Sequence, residues 1–571
     1  MEIKTALRSS FNYPYSCFWI LIIYSLGLWN YCVPFTGDEK VYISTAMEMR
    51  EKGSWLFPYL FGEHSYFKPP FQYWTVLLSW QIFGFNSFST YFPSVLALTG
   101  TAWLIGRIHQ LIGPKSNRSG VPPCAINLGI APVWFVGCFG TMTYGTTVQM
   151  EIWIVFFSMA VWWASLRFLD SNQWRWLYLG VGLAGLFALV KSPLYSVFSI
   201  FGLWTYLALV GRLDLFKKFH FYGAHTLGVI LGLAWYLLVL SADRERFWNH
   251  YFSTETFSKT GGNGSTPLKM WLDFSTFSQP FSLFFLPLIL ITARAVAKNL
   301  GSGSWIAQLK TRRTAFILAS TVFPSIFFSI FPYRTETYLY ILLPTFVLWL
   351  EWELVRQLEA GSRLVVWGIR LNGILVFTLS IAASLILIAG RITALHWSLL
   401  LPLICGLFCY QSWQLRWKPM AFSCLTLVTL IRFASISLGE EDISILRDIA
   451  HKNPEREFAI YDGNKNIWNE IGLLSVALGK ISQRTYSPDE AVTALKSGKI
   501  LVISDVFQSQ LTPIIQRSFA GDHSLEIIDW KRWKRTFHAP SLNDFKSLGD
   551  RNRPDWDSKN RREYKILLLK N

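Results

Sequence analysis

The chain has 571 residues, of which 52% are hydrophobic and 16% are charged, and its mean hydropathy is +0.30. Soluble domains carry about 25% charged residues, so this composition argues against a purely water-soluble protein. The net charge of +17 does not indicate a partner nucleic acid, because the basic excess lies between the hydrophobic stretches and the part after about residue 438 is nearly neutral. The seven cysteines lie in or beside apolar stretches, which argues against a disulfide framework or a metal-binding spacing.

Apolar runs long enough to cross a membrane recur along most of the chain. A spanning helix needs about 20 mostly apolar residues, and about thirteen runs meet that need. The run at 176–190 is short, and we expect it to be tilted or broken near Lys191. The predicted spans lie near residues 16–36, 88–106, 126–146, 150–168, 176–190, 193–210, 221–240, 281–297, 315–331, 338–355, 371–390, 394–411 and 419–438.

Basic residues lie in every second connection between these runs. Arg107 follows the second run, Arg212 the sixth and Arg416 the twelfth. Cytoplasmic loops carry an excess of Lys and Arg, so these connections are predicted to face the cytoplasm, with the N-terminus inside. An odd number of spans then places the C-terminal region outside.

Two connections on the predicted outer side are long, at about 37–87 and about 241–280. The first contains two stretches, at 42–52 and 71–83, that are expected to lie in the membrane interface. The second contains three closely spaced glycines, which is typical of a flexible loop.

The character of the chain changes after about residue 438, where strand-like and helix-like segments alternate. The predicted strands are 458–461, 499–503 and 563–569, and the predicted helices are 466–480 and 488–497. This alternation predicts a small α/β domain at 439–571, with a structural or acceptor-guiding role. The predicted fold class is therefore a polytopic α-helical membrane domain at 1–438, followed by an extracytoplasmic α/β domain.

Charged residues at a membrane are costly, so their presence requires a reason. The predicted outer side mixes carboxylates with cations: Asp38, Glu39, Lys68, Glu151, Lys191 and Arg334. A carboxylate can accept the proton of an acceptor hydroxyl. Lys and Arg can hold a phosphate and stabilise the charge that grows on it as a group departs. The mixture therefore suits transfer of a group from a lipid phosphate.

Each of these residues also has a structural explanation. Asp38 can cap the helix that follows it, Lys68 can extend to the interface, and Glu151 stands where a helix N-terminus favours a carboxylate. Arg334 fits a membrane anchor as well as a phosphate ligand. Lys191 is the hardest to explain structurally, because it interrupts an apolar run.

The segment 37–74 reads GDEKVYISTAMEMREKGSWLFPYLFGEHSYFKPPFQYW. It resembles the first extracytoplasmic loop of the aminoarabinose transferases and of the bacterial relatives of protein mannosyltransferases, which are GT-C glycosyltransferases. The residues that fit their pattern are Asp38, Glu39, Tyr42, Gly53, Trp55, Pro58, Lys68, Pro69, Pro70, Tyr73 and Trp74. Further similar positions follow in the same order at 144–151, 190–192, 247–255 and 328–338.

The resemblance implies a GT-C fold and a role for each matching residue. The implied catalytic carboxylates are Asp38 and, nearer the acceptor, Glu151. The implied ligands of the carrier phosphate are Lys68, Lys191, Arg334 and Lys259. The implied supporting residues are Glu39, Tyr42 and Glu255.

The resemblance also implies the substrates and the location. The donor would be a sugar linked to undecaprenyl phosphate, transferred with inversion to lipid A, a glycan or a protein. The protein would be a multi-pass protein of the bacterial inner membrane, in contact with its lipids, and its C-terminal domain would be periplasmic.

Two departures from the family pattern concern a metal. Phe67 stands where the family usually has Glu before Lys-Pro-Pro, and Thr256 stands where a His usually follows the loop carboxylate. In some relatives those two positions can hold a metal. We therefore expect no metal site and no cofactor other than the lipid-linked sugar.

Two functions other than sugar transfer also fit part of this pattern. A transporter or flippase of a lipid-linked anion could use the same cations. Transporters usually have repeated halves and paired broken helices, whereas this chain has one long first loop and a single outside domain. A scaffold for an envelope complex leaves Asp38, Lys68 and Lys191 without a role. The sequence therefore favours the glycosyltransferase.

Overall fold

The structure is a computed structural model that describes most of the chain. The described residues are 13–28, 37–113, 130–257, 266–278, 310–331, 335, 337–359, parts of 361–381, 400–413, 445–463, 471–480, 482–519, 525–533 and 561–569.

Helices dominate the described part of the chain up to Trp413. They are α1 (Tyr13–Ser25), α2 (Gly37–Glu51), α3 (Phe71–Phe83), α4 (Ser87–Ile112), α5 (Ala131–Gly137), α6 (Phe139–Tyr144), α7 (Met150–Ser171), α8 (Trp174–Phe187), α9 (Pro193–Leu209), α10 (Phe219–Ala242), α11 (Arg244–Phe247), α12 (Pro267–Phe277), α13 (Arg312–Ile330), α14 (Leu343–Glu359) and α15 (Leu400–Trp413). A π-helix (Trp248–Phe257) follows α11, and short 3₁₀ helices precede α10 (Leu213–Lys217) and α14 (Tyr338–Leu342).

Several of these helices can cross a membrane. In the described ranges, five helical segments are long and apolar enough by length and composition, namely α4, α7, α10, α13 and Tyr338–Gln357. Helix α9 is apolar but shorter. The predicted total of about thirteen spans stays a prediction, because the runs near 281–297 and 419–438 lie outside the described residues.

The run at 126–146 was predicted as one span, but its described part is not a single continuous helix. Its described part forms α5 and α6, separated at Cys138, whose backbone is extended (φ −75°, ψ 140°). Gly140 follows the break, and a Cβ there would lie 2.8 Å from the Cβ of Phe277 and 2.9 Å from the ring of Tyr340. The broken helix therefore packs tightly against aromatic neighbours, which its apolar composition alone could not predict.

The first outer connection is folded rather than open. It contains α2, a short antiparallel hairpin of β1 (Tyr59–Leu60) and β2 (Glu63–His64), and α3. Phe61 and Gly62 turn the hairpin with φ values of +58° and +80°. Their N–H groups each donate to the carboxylate of Glu48 at 2.8 Å, which offsets the strain of a left-handed phenylalanine.

The C-terminal part contains a five-stranded mixed sheet. Its strands are β3 (Phe458–Tyr461), β4 (Gln483–Thr485), β5 (Ile500–Ser504), β6 (Leu525–Trp533) and β7 (Arg561–Leu569), and their spatial order is β4-β3-β5-β7-β6. Strands β4 and β5 run parallel to β3, and β7 is antiparallel to β5 and β6. The helices between the strands are α16 (Ile471–Leu478), α17 (Pro488–Lys496) and α18 (Asp505–Ser518). The sequence predicted β3, β5 and β7, and it missed β4 and β6.

The sheet domain docks on the first outer connection. Helix α16 packs against α2. The guanidinium of Arg484 in β4 pairs with the carboxylate of Glu48 in α2, and these side chains are only 11% and 9% exposed. The same guanidinium lies 5.5 Å from the ring centroid of Phe61. Glu48 thus holds the hairpin and the sheet domain together.

Candidate active site

The N-terminal end of α2 carries the first two predicted site residues. Glu39 is fully buried, and its Oε1 accepts a hydrogen bond of 2.8 Å from the backbone N–H of Val148, just before α7. Asp38 lies beside it in the first turn of α2 and is exposed. Glu39 therefore fixes this helix end against the start of α7, and Asp38 lies on its exposed side.

A buried ion pair lies at the start of α7. The Nζ of Lys191 donates to Oε1 of Glu151 at 2.6 Å, and the two side chains are 18% and 5% exposed. Thr337 also lies beside the Glu151 carboxylate. The Lys191 ammonium lies 6.0 Å from the ring centroid of Tyr338. Segments far apart in sequence thus meet around one cation.

The chain places Lys191 there by ending a helix early. Helix α8 stops at Phe187, and backbone hydrogen bonds from Leu189 and Val190 to residues three positions earlier form a tight turn. Ser192 then caps α9, its Oγ accepting from the N–H of Leu194 at 3.3 Å. The sequence predicted an interruption at this place.

The segment that carries Lys68 is tied to the same turn. The backbone N–H of Phe71 donates to the carbonyl of Leu189 at 3.2 Å. The Phe71 ring also packs edge-on against Trp153 and Phe157 of α7, with centroid distances of 5.1 Å each. Lys68 is half-buried and precedes this anchor by three residues. The first outer connection is therefore held next to the turn that carries Lys191.

The remaining predicted site residues are only partly described. Tyr42 is buried in α2, and its ring meets the Tyr73 ring of α3 edge-on at 6.3 Å. Glu255 belongs to the π-helix, and its side chain lies outside the described part. Lys259 and Arg334 also lie outside the described residues.

The two outer connections share a polar cluster that sequence reasoning missed. His64 Nδ1 lies 2.9 Å from Oδ2 of Asp243, and the Tyr66 hydroxyl donates to the same oxygen at 3.1 Å. Burial opposes ionisation of Asp243, but the hydrogen bonds from His64 and Tyr66 hold the pKa of its carboxyl below the ordinary value. His64 and Asp243 are 179 residues apart, and no local sequence pattern indicates a pairing over this distance.

Phe67 is one of the two positions that depart from the metal pattern of the resembled family, and the side chain of the other, Thr256, lies outside the described part. The ring of Phe67 stacks on His250, with centroids 5.0 Å apart and planes 11° from parallel. Burial lowers the pKa of His250, which favours its neutral form. Among the residues that the structure describes, no group of three or more His, Cys, Asp or Glu side chains could hold a metal ion.

Comparison with known proteins points to one class. Residues 67–237 match the model of the dolichyl-phosphate-mannose-protein mannosyltransferase family. An undecaprenyl phosphate-alpha-4-amino-4-deoxy-L-arabinose arabinosyl transferase of Serratia proteamaculans is 22% identical over 445 residues, which span 73% of this chain and 76% of that protein. A protein of the same name from Yersinia enterocolitica is 25% identical over 309 residues, which span 53% of this chain and 52% of that protein.

Solved structures extend the likeness to almost the whole chain. ArnT from Cupriavidus metallidurans bound to undecaprenyl phosphate superposes with a TM-score of 0.63 at 13% identity, covering 97% of this chain and 98% of that one. The apo state of the same protein gives a TM-score of 0.65 with the same coverage. At this identity the likeness shows the fold.

The chain is a multi-pass membrane glycosyltransferase with the GT-C fold. This confirms the enzyme class and the helical membrane fold predicted from the sequence. Among such enzymes it resembles the aminoarabinose transferases, as the first outer connection indicated.

Proposed function

We propose that this glycosyltransferase moves a sugar from undecaprenyl phosphate to an acceptor on the outer face of the bacterial inner membrane. The acceptor would be lipid A, another glycan or a protein. The donor class comes from the relatives, whose names specify an undecaprenyl-phosphate-linked sugar.

The observation that carries the proposal is the buried pair of Glu151 and Lys191 beside the first outer connection. A cation taken out of water is costly unless it is paired or has a substrate to bind. Before the donor binds, Glu151 balances the charge of Lys191 and holds its ammonium in place. A lipid phosphate entering the site would meet a cation whose position is already fixed, which lowers the cost of binding.

The reaction needs a base and a phosphate site. The acceptor oxygen attacks the anomeric carbon of the donor, the bond from that carbon to the phosphate oxygen breaks, and the configuration inverts. Asp38 takes the proton of an acceptor hydroxyl, and undecaprenyl phosphate leaves with the bonding electrons. Lys68 and Lys191 stabilise the charge that grows on the leaving phosphate. Lys259 and Arg334 are assigned to the same phosphate from the family resemblance alone.

The packing of the sheet domain supports the proposed location. We assign the first outer connection to the periplasmic side from the distribution of basic residues. Because Arg484 of the sheet domain pairs with Glu48 of that connection, both must lie on the same side of the membrane. The proposed topology thus has a cytoplasmic N-terminus and a periplasmic C-terminal domain.

Proteoliposomes separate this proposal from the alternative of a lipid flippase. Purified full-length chain would be reconstituted with an undecaprenyl-phosphate-linked sugar and with lipid A as the acceptor. The proposal predicts that free undecaprenyl phosphate and a heavier acceptor appear together. Movement of intact donor between leaflets, with the donor chemically unchanged, would support the flippase instead.

We predict that chelation does not reduce activity. Phe67 occupies one of the positions that can hold a metal in some relatives, and its ring stacks on His250. Turnover would be measured before and after dialysis against EDTA, with a metal-dependent glycosyltransferase as the positive control. A loss of activity that Zn²⁺ or Mn²⁺ restores would contradict the prediction.

A further inference from the structure

A polar cleft lies between the C-terminal end of α2 and the edge of the sheet domain. Its volume is about 460 Å³, within the usual range for small-molecule sites. Its lining includes Glu48, Glu51 and Lys52 from the α2 side and Glu457, Ser482 and Arg484 from the sheet domain. We call it the domain cleft.

The domain cleft contains two buried polar atoms that have no hydrogen-bond partner among the described residues. Ser482 is only 4% exposed, and among the described residues its Oγ has no hydrogen-bond partner. The same is true of Nη2 of Arg484, although its Nη1 bonds to Glu48. Buried polar groups are nearly always satisfied, so two such donors lining one cleft indicate a ligand or bound water.

The backbone of Ser482 and the guanidinium of Arg484 are each held by other groups. The backbone N–H of Ser482 donates to Oγ of Ser475 at 3.1 Å, and the guanidinium of Arg484 is fixed by Glu48 and by the Phe61 ring. A preformed arrangement of donors loses little conformational entropy when a ligand binds.

The charges of the domain cleft favour a ligand without net charge over a simple anion, since Glu48 already pairs with Arg484 and Glu457 with Lys499. Three carboxylates (Glu48, Glu51 and Glu457) line it together with two cations (Lys52 and Arg484). Burial raises the pKa of Glu51 despite the nearby Arg484, so a further negative charge would be unfavourable there. A ligand that both donates and accepts hydrogen bonds without net charge fits this lining, and the hydroxyls of a saccharide do both.

We propose that the domain cleft binds a saccharide portion of the acceptor, a proposal that rests on the sugar transfer proposed above. Asp38 and Glu51 lie at opposite ends of α2, about 20 Å apart at the 1.5 Å rise of a helical residue. The sugar in the cleft is therefore remote from the hydroxyl that reacts. The acceptor is an extended glycan or glycolipid, rather than an isolated Ser or Thr side chain, and its remote binding energy supports the transfer step.

Binding of soluble probes tests the proposal without requiring transfer. Ligand-observed NMR on the full-length detergent-solubilised chain would use a glucosamine disaccharide, the same disaccharide phosphorylated at both ends, and a serine-containing peptide. We expect the unphosphorylated disaccharide to bind with a millimolar dissociation constant. Ser482→Ala should weaken that binding about tenfold, because one hydrogen bond to the sugar is lost. Ser497→Ala is the matched control, since its hydroxyl bonds to the carbonyl of Ala494 at 2.8 Å.

Three results would overturn the proposal: no binding of the disaccharide, binding only of the phosphorylated form or the peptide, or binding unaffected by Ser482→Ala. The transfer assay is read separately. Transfer by a chain that binds no disaccharide leaves the proposed function intact and removes the cleft assignment. Binding of the disaccharide without any transfer would keep the domain cleft as a saccharide site and would remove the proposed function.

Discussion

Asp38→Asn abolishes sugar transfer while the protein still accumulates and inserts into the membrane. The substitution keeps the size of the side chain and removes the group that accepts the acceptor's proton. General base catalysis contributes about 10²- to 10⁴-fold, so turnover should fall by at least about a hundredfold. Because Asp38 is exposed at the first turn of α2, and Glu39 next to it makes the buried bond to Val148, the fold should tolerate the change.

Initial rates with purified variants check this prediction. Asp214→Asn is the matched control, since Asp214 is 56% exposed and pairs with Arg212 beyond the other end of α10, away from the outer connections. An exposed pair of this kind contributes little to stability. Near-normal turnover of Asp38→Asn at normal abundance would remove Asp38 from the catalytic role.

The second large effect concerns the pair of Glu151 and Lys191. Removing one member of a buried ion pair leaves an uncompensated charge and costs about 3–5 kcal/mol. Both Glu151→Gln and Lys191→Met should therefore lower the apparent Tm in detergent and the amount of protein in the membrane. The double variant has no unpaired charge, so most of the lost thermal stability should return.

Activity separates a functional role from a structural one. Even with its stability restored, the double variant should stay at least about a hundredfold less active, because the donor phosphate has lost a cation that stabilises its growing charge. Lys269→Met is the control, since Lys269 pairs with Asp273 at an exposed i,i+4 position. A stable double variant with wild-type activity would show that the pair serves the fold alone.

Local composition explains how much of the fold could be predicted. The span predicted at 150–168 is observed as the helix Met150–Ser171, and the stretch predicted at 71–83 is observed as the helix Phe71–Phe83. The second agrees because Pro70 precedes the helix and Gly84, with a φ of +76°, ends it. Residues such as Pro70 and Gly84, which set the two ends of a helix, can be recognised in the local sequence.

The parts that could not be predicted depend on distant contacts. Strand β4 has only three residues, too few for a pattern, and it forms by pairing with β3. Glu48 and Arg484 are 436 residues apart, and His64 and Asp243 are 179 apart. No periodicity in one sequence reports such pairs. Lys191 could be singled out because a charge inside an apolar run is visible locally, whereas its pairing with Glu151 could not.

The central claim is that the chain transfers a sugar to an outer acceptor. Mass spectrometry of lipid A, surface glycans and glycoproteins from cells with and without the chain tests it most directly. The account predicts that one glycoconjugate loses the mass of a single hexose, pentose or aminopentose when the chain is absent, and that the wild-type chain restores it whereas Asp38→Asn does not. Unchanged glycoconjugates, with lipid-linked sugar accumulating on the cytoplasmic side, would contradict the account and point to a flippase.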